Sequence, residues 1–151
     1  GEDTKLCLDL INLGGEIIYD PELIVYHHRR SGLLKHLKQV SGYGLHRGFF
    51  AKKYPKTSFR IKYFIPSFFL LFIVVGLVLS FFNKLILGLY LVGWGLYVLA
   101  LIKAFFDMSK YESFSVSLCA LPYIFLTHIV YGFYFMKGFI FVKKLKSKLR
   151  E

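Results

Sequence analysis

The chain has 151 residues, of which 56% are hydrophobic and 19% aromatic, and its formal net charge is +11. An ordinary soluble domain is about 45–50% apolar even with glycine included. This composition therefore argues against an ordinary soluble domain and predicts a membrane protein. Because no recognised base-reading motif is present, the basic charge indicates contact with anionic lipids and not with nucleic acid.

Residues 1–60 are predicted to begin with a helix. Apolar residues recur at helical spacing from Leu6 to Leu13, with Asp3 or Thr4 as the cap. Gly14-Gly15 supplies the left-handed conformation on which helices often end.

Two strand-like runs, Glu16–Tyr19 and Leu23–His27, follow this helix and are separated by a turn at Asp20-Pro21. Helical spacing resumes at Leu33. Sixty residues of this kind are too few for a stable core alone, so residues 1–60 are predicted to be an α/β fragment that joins a larger sheet.

The rest of the chain is predicted to be all-α and membrane-embedded. Three apolar segments, at about 63–82, 85–106 and 114–142, are each long enough to cross ~30 Å of hydrocarbon. A basic tail, 143–151, closes the chain. Inside the third segment, His128 is expected to hydrogen-bond a neighbouring helix, with a functional role as the alternative.

The charge pattern conflicts with three crossings. Residues 27–62 and the tail 143–151 are both rich in cationic residues, and the positive-inside rule would place both on the cytoplasmic side. Three crossings cannot do that. Either the third segment is kinked, re-entrant or interfacial, or the tail lies on the opposite side.

Several motifs occur in an order that resembles a known family. Gly1-Glu2-Asp3-Thr4, then Gly14-Gly15, then Ile18-Tyr19-x-Pro21-x-x-x-Val25-x-His27 resembles the acceptor-side half of inverting family 2 glycosyltransferases, whose catalytic domain has a GT-A fold. Two later motifs are similar to the succinoglycan-type branch, which makes bacterial surface polysaccharides. They are Gln39-x-x-x-Tyr43-Gly44-x-x-Arg47-Gly48 and His128-x-x-Tyr131-Gly132.

The resemblance implies that Asp3 is the general base. In an inverting transfer the acceptor hydroxyl loses its proton as it attacks the anomeric carbon, and a carboxylate within hydrogen-bonding distance is the usual base. Glu2 would orient Asp3 or a group of the acceptor. The alternative is that Asp3 only caps its helix.

A dense cationic cluster follows the second strand-like run. By the resemblance it faces the diphosphate of the donor, or His27 completes a metal site. The alternative is a basic patch on anionic headgroups. The cluster is His27, His28, Arg29 and Arg30.

Gln39 and Arg47 resemble a loosened Gln-x-x-Arg-Trp motif of processive synthases, which binds donor and acceptor. The wider spacing and the missing Trp favour addition of a single sugar. The alternative is an interfacial amphipathic helix with Phe49, Phe50 and Tyr54 as its aromatic residues.

No Asp-x-Asp motif occurs, because the four aspartates are Asp3, Asp9, Asp20 and Asp107. In the family this metal site lies upstream of the Glu-Asp pair. The intact enzyme is therefore expected to use Mg or Mn, and this chain is expected to be a fragment that lacks the nucleotide-binding half and is inactive without it.

The intact enzyme is expected to be a multi-pass protein of the cell membrane. On the cytoplasmic side it would transfer a sugar from a nucleotide-sugar donor to a lipid-linked acceptor. One alternative is a non-enzymatic small membrane protein whose basic juxtamembrane module binds lipid or a partner. A polyprenol-phosphate sugar synthase, which shares the early motifs, is another.

Overall fold

The computed structural model describes residues 2–26 and 32–145, and the regular elements in these ranges are helices. The chain divides into two compact units. Unit 1 comprises residues 1–63 and 134–151, and unit 2 comprises residues 64–133. The helices are α1 (Glu2–Asn12), α2 (Leu33–Lys53), α3 (Pro55–Ser58), α4 (Ile61–Ser80), α5 (Lys84–Met108) and α6 (Phe114–Ile140).

The predicted α/β fragment is wrong for the described residues. Neither 16–19 nor 23–26 forms a strand, although the turn between them is present, with the Glu22 amide donating to Oδ1 of Asp20 at 2.9 Å. The large apolar side chains of both runs are at least 55% exposed. A strand needs a neighbouring strand to bind its backbone N–H and C=O groups, and in the described part of unit 1 the regular elements are helical.

The predicted end of the first helix is confirmed. Gly14 has φ 83°, its amide donates to the Ile11 carbonyl at 3.0 Å, and the Gly15 amide donates to the Leu10 carbonyl at 2.9 Å. This pair of bonds satisfies carbonyls that the last helical turn leaves unpaired. At the other end α1 starts at Glu2, so Asp3 lies inside the first turn and not at the cap.

Unit 1 is held together by close backbone contact between α2 and the end of α6. A Cβ atom added to Gly48 would lie 2.1 Å from the carbonyl oxygen of Phe135. One added to Gly138 would lie 2.1 Å from the carbonyl oxygen of Leu45. Each helix thus presents a glycine where the other helix passes, and no larger residue leaves room for this approach.

Unit 2 contains most of the apolar helical length. The helices α4, α5 and α6 are each long and apolar enough to cross a membrane, and their bounds agree with the predicted spans to within a few residues. Asn83 caps α5, where its side chain accepts from the amides of Leu85 at 2.8 Å and Ile86 at 3.3 Å. This cap stabilises the tight connection between α4 and α5.

Within unit 2, aromatic pairs define how α4 and α5 meet. The rings of Phe69 and Tyr97 stack with centroids 4.4 Å apart, and those of Phe72 and Tyr90 lie 5.0 Å apart. The numbering rises along one helix as it falls along the other, so the two helices run antiparallel.

A third glycine brings α4 and α6 together. A Cβ atom on Gly132 would lie 2.3 Å from the carbonyl oxygen of Pro66. The buried Ser67 hydroxyl donates to the Gly132 carbonyl at 3.1 Å. Small residues and a hydrogen bond between helices are typical of membrane helix packing. Lipid tails are as apolar as the side chains, so burial of apolar surface contributes little to the association of helices there.

We expect Gly48→Ala and Gly138→Ala each to destabilise the chain by about 1–3 kcal/mol, because the new methyl group meets a backbone carbonyl that cannot move aside. The midpoint of unfolding by sodium dodecyl sulfate, followed by circular dichroism of the chain in mild detergent, measures the change.

The matched control is Gly42→Ala on the same helix, where an added Cβ would meet nothing within 4 Å. It should gain up to about 1 kcal/mol from helix propensity. Equal midpoints for Gly42→Ala and Gly48→Ala would show that α2 and α6 do not touch as described.

Candidate functional site

The predicted base Asp3 is exposed in the first turn of α1. Glu2 begins the helix, but its side chain lies outside what the structure describes. The cationic cluster lies outside the described residues as well, so its predicted contact with a donor diphosphate stays a prediction. That cluster is His27, His28, Arg29 and Arg30.

A contact between a cation and a ring places α1 beside the C-terminal end of α2 in unit 1. Nζ of Lys5 lies 5.8 Å from the ring centroid of Tyr54, the residue between α2 and α3. Lys5 also donates to the carboxylate of Asp9, and this hydrogen bond raises the pKa of Lys5. Asp3 precedes Lys5 by two residues, or about 3 Å of helix rise. The exposed carboxylate of Asp3 therefore lies close to the Lys5–Tyr54 contact, in the same unit as the first residues of α4.

Gln39 keeps its side chain at the surface of α2. Its Nε2 donates to the hydroxyl of Tyr43 at 2.7 Å, and the Tyr43 ring is 60% exposed. Both residues belong to the motif that resembles the polysaccharide synthases. The pair offers solvent an amide and a phenol, which suits hydroxyl groups of a sugar.

Arg47 makes contacts within unit 1 that the motif did not predict, and its predicted ligand-binding role stays a prediction. Its Nη1 donates to the Oγ of Ser58 at 3.2 Å, and its guanidinium carbon lies 4.7 Å from the ring centroid of Tyr63. The Ser58 residue is fully buried. Arg47 thus ties α2 to α3 and to the first turn of α4.

Sequence reasoning missed the contacts of Arg47 with Ser58 and Tyr63. The break at Tyr54-Pro55 was the available signal, because it ends α2 and turns the chain back toward Arg47. Gln39 and Arg47 are both on α2, about 12 Å apart along its axis. The helix therefore does not bring the two predicted ligands into direct contact.

The aromatic residues of the interfacial alternative also point inward. Phe49 and Phe50 are only 4% and 6% exposed, and their rings lie 5.8 Å apart. The Phe50 ring contacts Tyr54 at 5.6 Å. These rings form part of the core of unit 1, so they are not free to insert into lipid.

A metal site is not found among the residues that the structure describes. No group of three or more His, Cys, Asp or Glu side chains within 2–26 and 32–145 is close enough to hold an ion. The possible metal role of His27 lies outside these ranges. The expected divalent metal of the intact enzyme therefore stays a prediction.

The expected hydrogen bond of His128 to a neighbouring helix is confirmed. In unit 2 the Tyr97 hydroxyl and Nδ1 of His128 share a hydrogen bond of 3.0 Å. The Phe69 ring lies 6.0 Å from the imidazole, and Trp94 and Phe125 pack against Tyr97. Aromatic side chains thus pack around the hydrogen-bonded pair Tyr97–His128 between α5 and α6.

Comparison of the chain with known protein families, curated proteins and solved structures found no match. Functional assignment therefore rests on the motif residues and their placement. Asp3 supplies an exposed carboxylate, Gln39 donates to the exposed Tyr43 hydroxyl on the surface of α2, and Arg47 donates to the buried Ser58.

Arg47→Gln should lower the stability of the chain by about 1–2 kcal/mol, because it removes a hydrogen bond to a buried hydroxyl and a cation–ring contact. Thermal unfolding in detergent, followed by circular dichroism, measures this. Lys38→Gln, at an exposed position of α2, is the control and should change stability little. An unchanged midpoint for Arg47→Gln would show that the contacts with Ser58 and Tyr63 contribute little to stability.

Tyr97→Phe should cost about 0.6 kcal/mol, the average for a hydrogen bond between membrane helices, because the ring stays and only the hydroxyl is lost. Tyr111→Phe is the control, since the Tyr111 ring is 87% exposed. Resistance to unfolding by sodium dodecyl sulfate compares the two variants. The bond contributes nothing if both behave like the parent chain.

Proposed function

We propose that this chain is the acceptor-side, membrane-proximal part of an inverting glycosyltransferase, with Asp3 as the general base. The reaction transfers a sugar from a nucleotide-sugar donor to a lipid-linked acceptor in the synthesis of a cell-surface polysaccharide. The proposal keeps the chemistry that the motifs imply and drops the α/β architecture for the described residues.

One observation carries the proposal: an exposed carboxylate stands in the same compact unit as the helices that lead into the membrane. Lys5 on α1 contacts Tyr54, and Tyr54 lies between α2 and α3. The Asp3 side chain is exposed at the start of α1. A lipid-linked hydroxyl cannot leave the bilayer, so its base has to stand near the bilayer surface.

Asp3 accepts the proton of the acceptor hydroxyl as that hydroxyl attacks the anomeric carbon. The exposed Gln39–Tyr43 pair is suited to bind sugar hydroxyl groups. His27 and the three cationic residues after it would stabilise the charge on the departing diphosphate.

The membrane placement belongs to the same proposal. Helices α4, α5 and α6 are each long and apolar enough to span a bilayer. We place unit 1 on the cytoplasmic side, because nucleotide-sugar donors are made there and because its cationic residues favour that side.

The test compares Asp3→Asn with Asp9→Asn, a carboxylate of the same helix, in the full-length protein. Membranes are incubated with a panel of radiolabelled uridine- and guanosine-diphosphate sugars, and label is counted in the butanol-extractable lipid fraction. Asp3→Asn should lower transfer at least about 100-fold, the usual lower limit for a general base, while retaining binding of the donor. Asp9→Asn should retain most of the activity, because an amide oxygen still accepts from Lys5.

Turnover by Asp3→Asn equal to that of the parent would remove Asp3 from the role of base. No label in lipid with any donor, from parent membranes, would favour the alternative of a non-enzymatic membrane protein. A product with one sugar on a bare polyprenyl phosphate would identify the polyprenol-phosphate sugar synthase instead.

A further inference from the structure

Unit 1 carries a strongly cationic surface. Residues 32–63 and 134–145 contain no Asp or Glu. Ten of the Lys and Arg side chains in these two segments are exposed, and the eleventh, Arg47, is partly buried. The ten are Lys35, Lys38, Lys52, Lys53, Lys56, Arg60, Lys62, Lys137, Lys143 and Lys144.

The two segments form one body although they are far apart in sequence. Nζ of Lys52 donates to the carbonyl oxygen of Val142 at 2.8 Å. The rings of Phe59 and Phe139 lie 6.4 Å apart. With the glycine contacts between α2 and α6, these bonds place the cationic residues of α2 and α3 in the same unit as those that follow α6.

Aromatic rings accompany the cationic residues. Nζ of Lys53 lies 5.5 Å from the centroid of the Tyr54 ring, and Nζ of Lys62 lies 5.3 Å from that of Tyr63. At the end of α6, Nζ of Lys137 lies 5.7 Å from the centroid of the neighbouring Tyr134 ring. Lysine beside tyrosine at the ends of apolar helices is typical of the headgroup region of a bilayer.

We propose that these ten side chains form one binding surface for anionic lipid headgroups, which we call the cationic platform. The platform lies where the first turn of α4 and the last turns of α6 reach water. Phosphate groups of lipids occupy that depth, and the two segments contribute no acidic side chain that would repel them. The inference does not depend on the proposed sugar transfer.

The cationic platform also sets the topology. If residues 52–62 and 137–144 face the same leaflet, the chain crosses the bilayer an even number of times between Tyr63 and Tyr134. Three complete crossings would not give this. With an even number of crossings, both cationic segments face the same leaflet, and both can then satisfy the positive-inside rule.

Native mass spectrometry of the purified full chain tests lipid binding. The chain is released from micelles that contain equal amounts of phosphatidylglycerol and phosphatidylcholine. The parent should retain phosphatidylglycerol at least about threefold over phosphatidylcholine. Lys56→Gln/Lys62→Gln and Lys143→Gln/Lys144→Gln should each lower that preference, because each double variant removes two charges from one of the two segments.

Two controls separate a charged surface from a folding defect or a general charge effect. Lys56→Arg/Lys62→Arg keeps the charge and should keep the preference. Lys84→Gln/Lys103→Gln removes two charges from unit 2 and should also keep it. Equal retention of both lipids by the parent would overturn the proposal. So would a loss of the phosphatidylglycerol preference in the unit 2 control as large as that in the two platform variants.

Labelling with a membrane-impermeant maleimide tests the shared leaflet. Lys56→Cys and Lys144→Cys are placed singly in a chain whose two native thiols are replaced, Cys7→Ser/Cys119→Ser, and each is reconstituted in sealed vesicles. We expect both positions to react from the same side. Reaction of the two positions from opposite sides would overturn the single platform.

Discussion

The packing of unit 1 depends on how closely the backbones of α2 and α6 approach each other. Gly48 and Gly138 each face a carbonyl of the opposite helix at a distance that excludes any side chain. This contact joins the first and last parts of the chain into one unit. It brings the cationic side chains of α2 and α3 into the same unit as those that follow α6.

Much of the helical structure could be predicted from the sequence, because local signals determine it. The apolar length of α4, α5 and α6 and the glycine end of α1 depend on neighbouring residues alone, and both predictions agree with the structure. The strand-like runs Glu16–Tyr19 and Leu23–His27 had an equally clear pattern. Residues 16–19 and 23–26 do not form strands because a strand also needs a partner, and among the described residues the regular elements are helices.

The candidate site was only partly predictable for a related reason. A motif identifies a residue type, whereas its role depends on contacts that come from distant parts of the chain. Arg47 matched a ligand motif, but the motif gave no sign that Arg47 also donates to Ser58 and lies beside the ring of Tyr63. His128, in contrast, had the partner expected of a polar group in an apolar helix, because hydrocarbon leaves such a group few other choices.

The discontinuity of unit 1 has a consequence for biosynthesis. Gly48 leaves the ribosome long before Phe135, so α2 waits without its partner while the intervening helices are made and inserted. Unit 1 can close only after α6 emerges, since contacts between distant residues form late. A nascent chain arrested just before residue 134 should therefore expose the α2 surface to chaperones and proteases that the finished protein excludes.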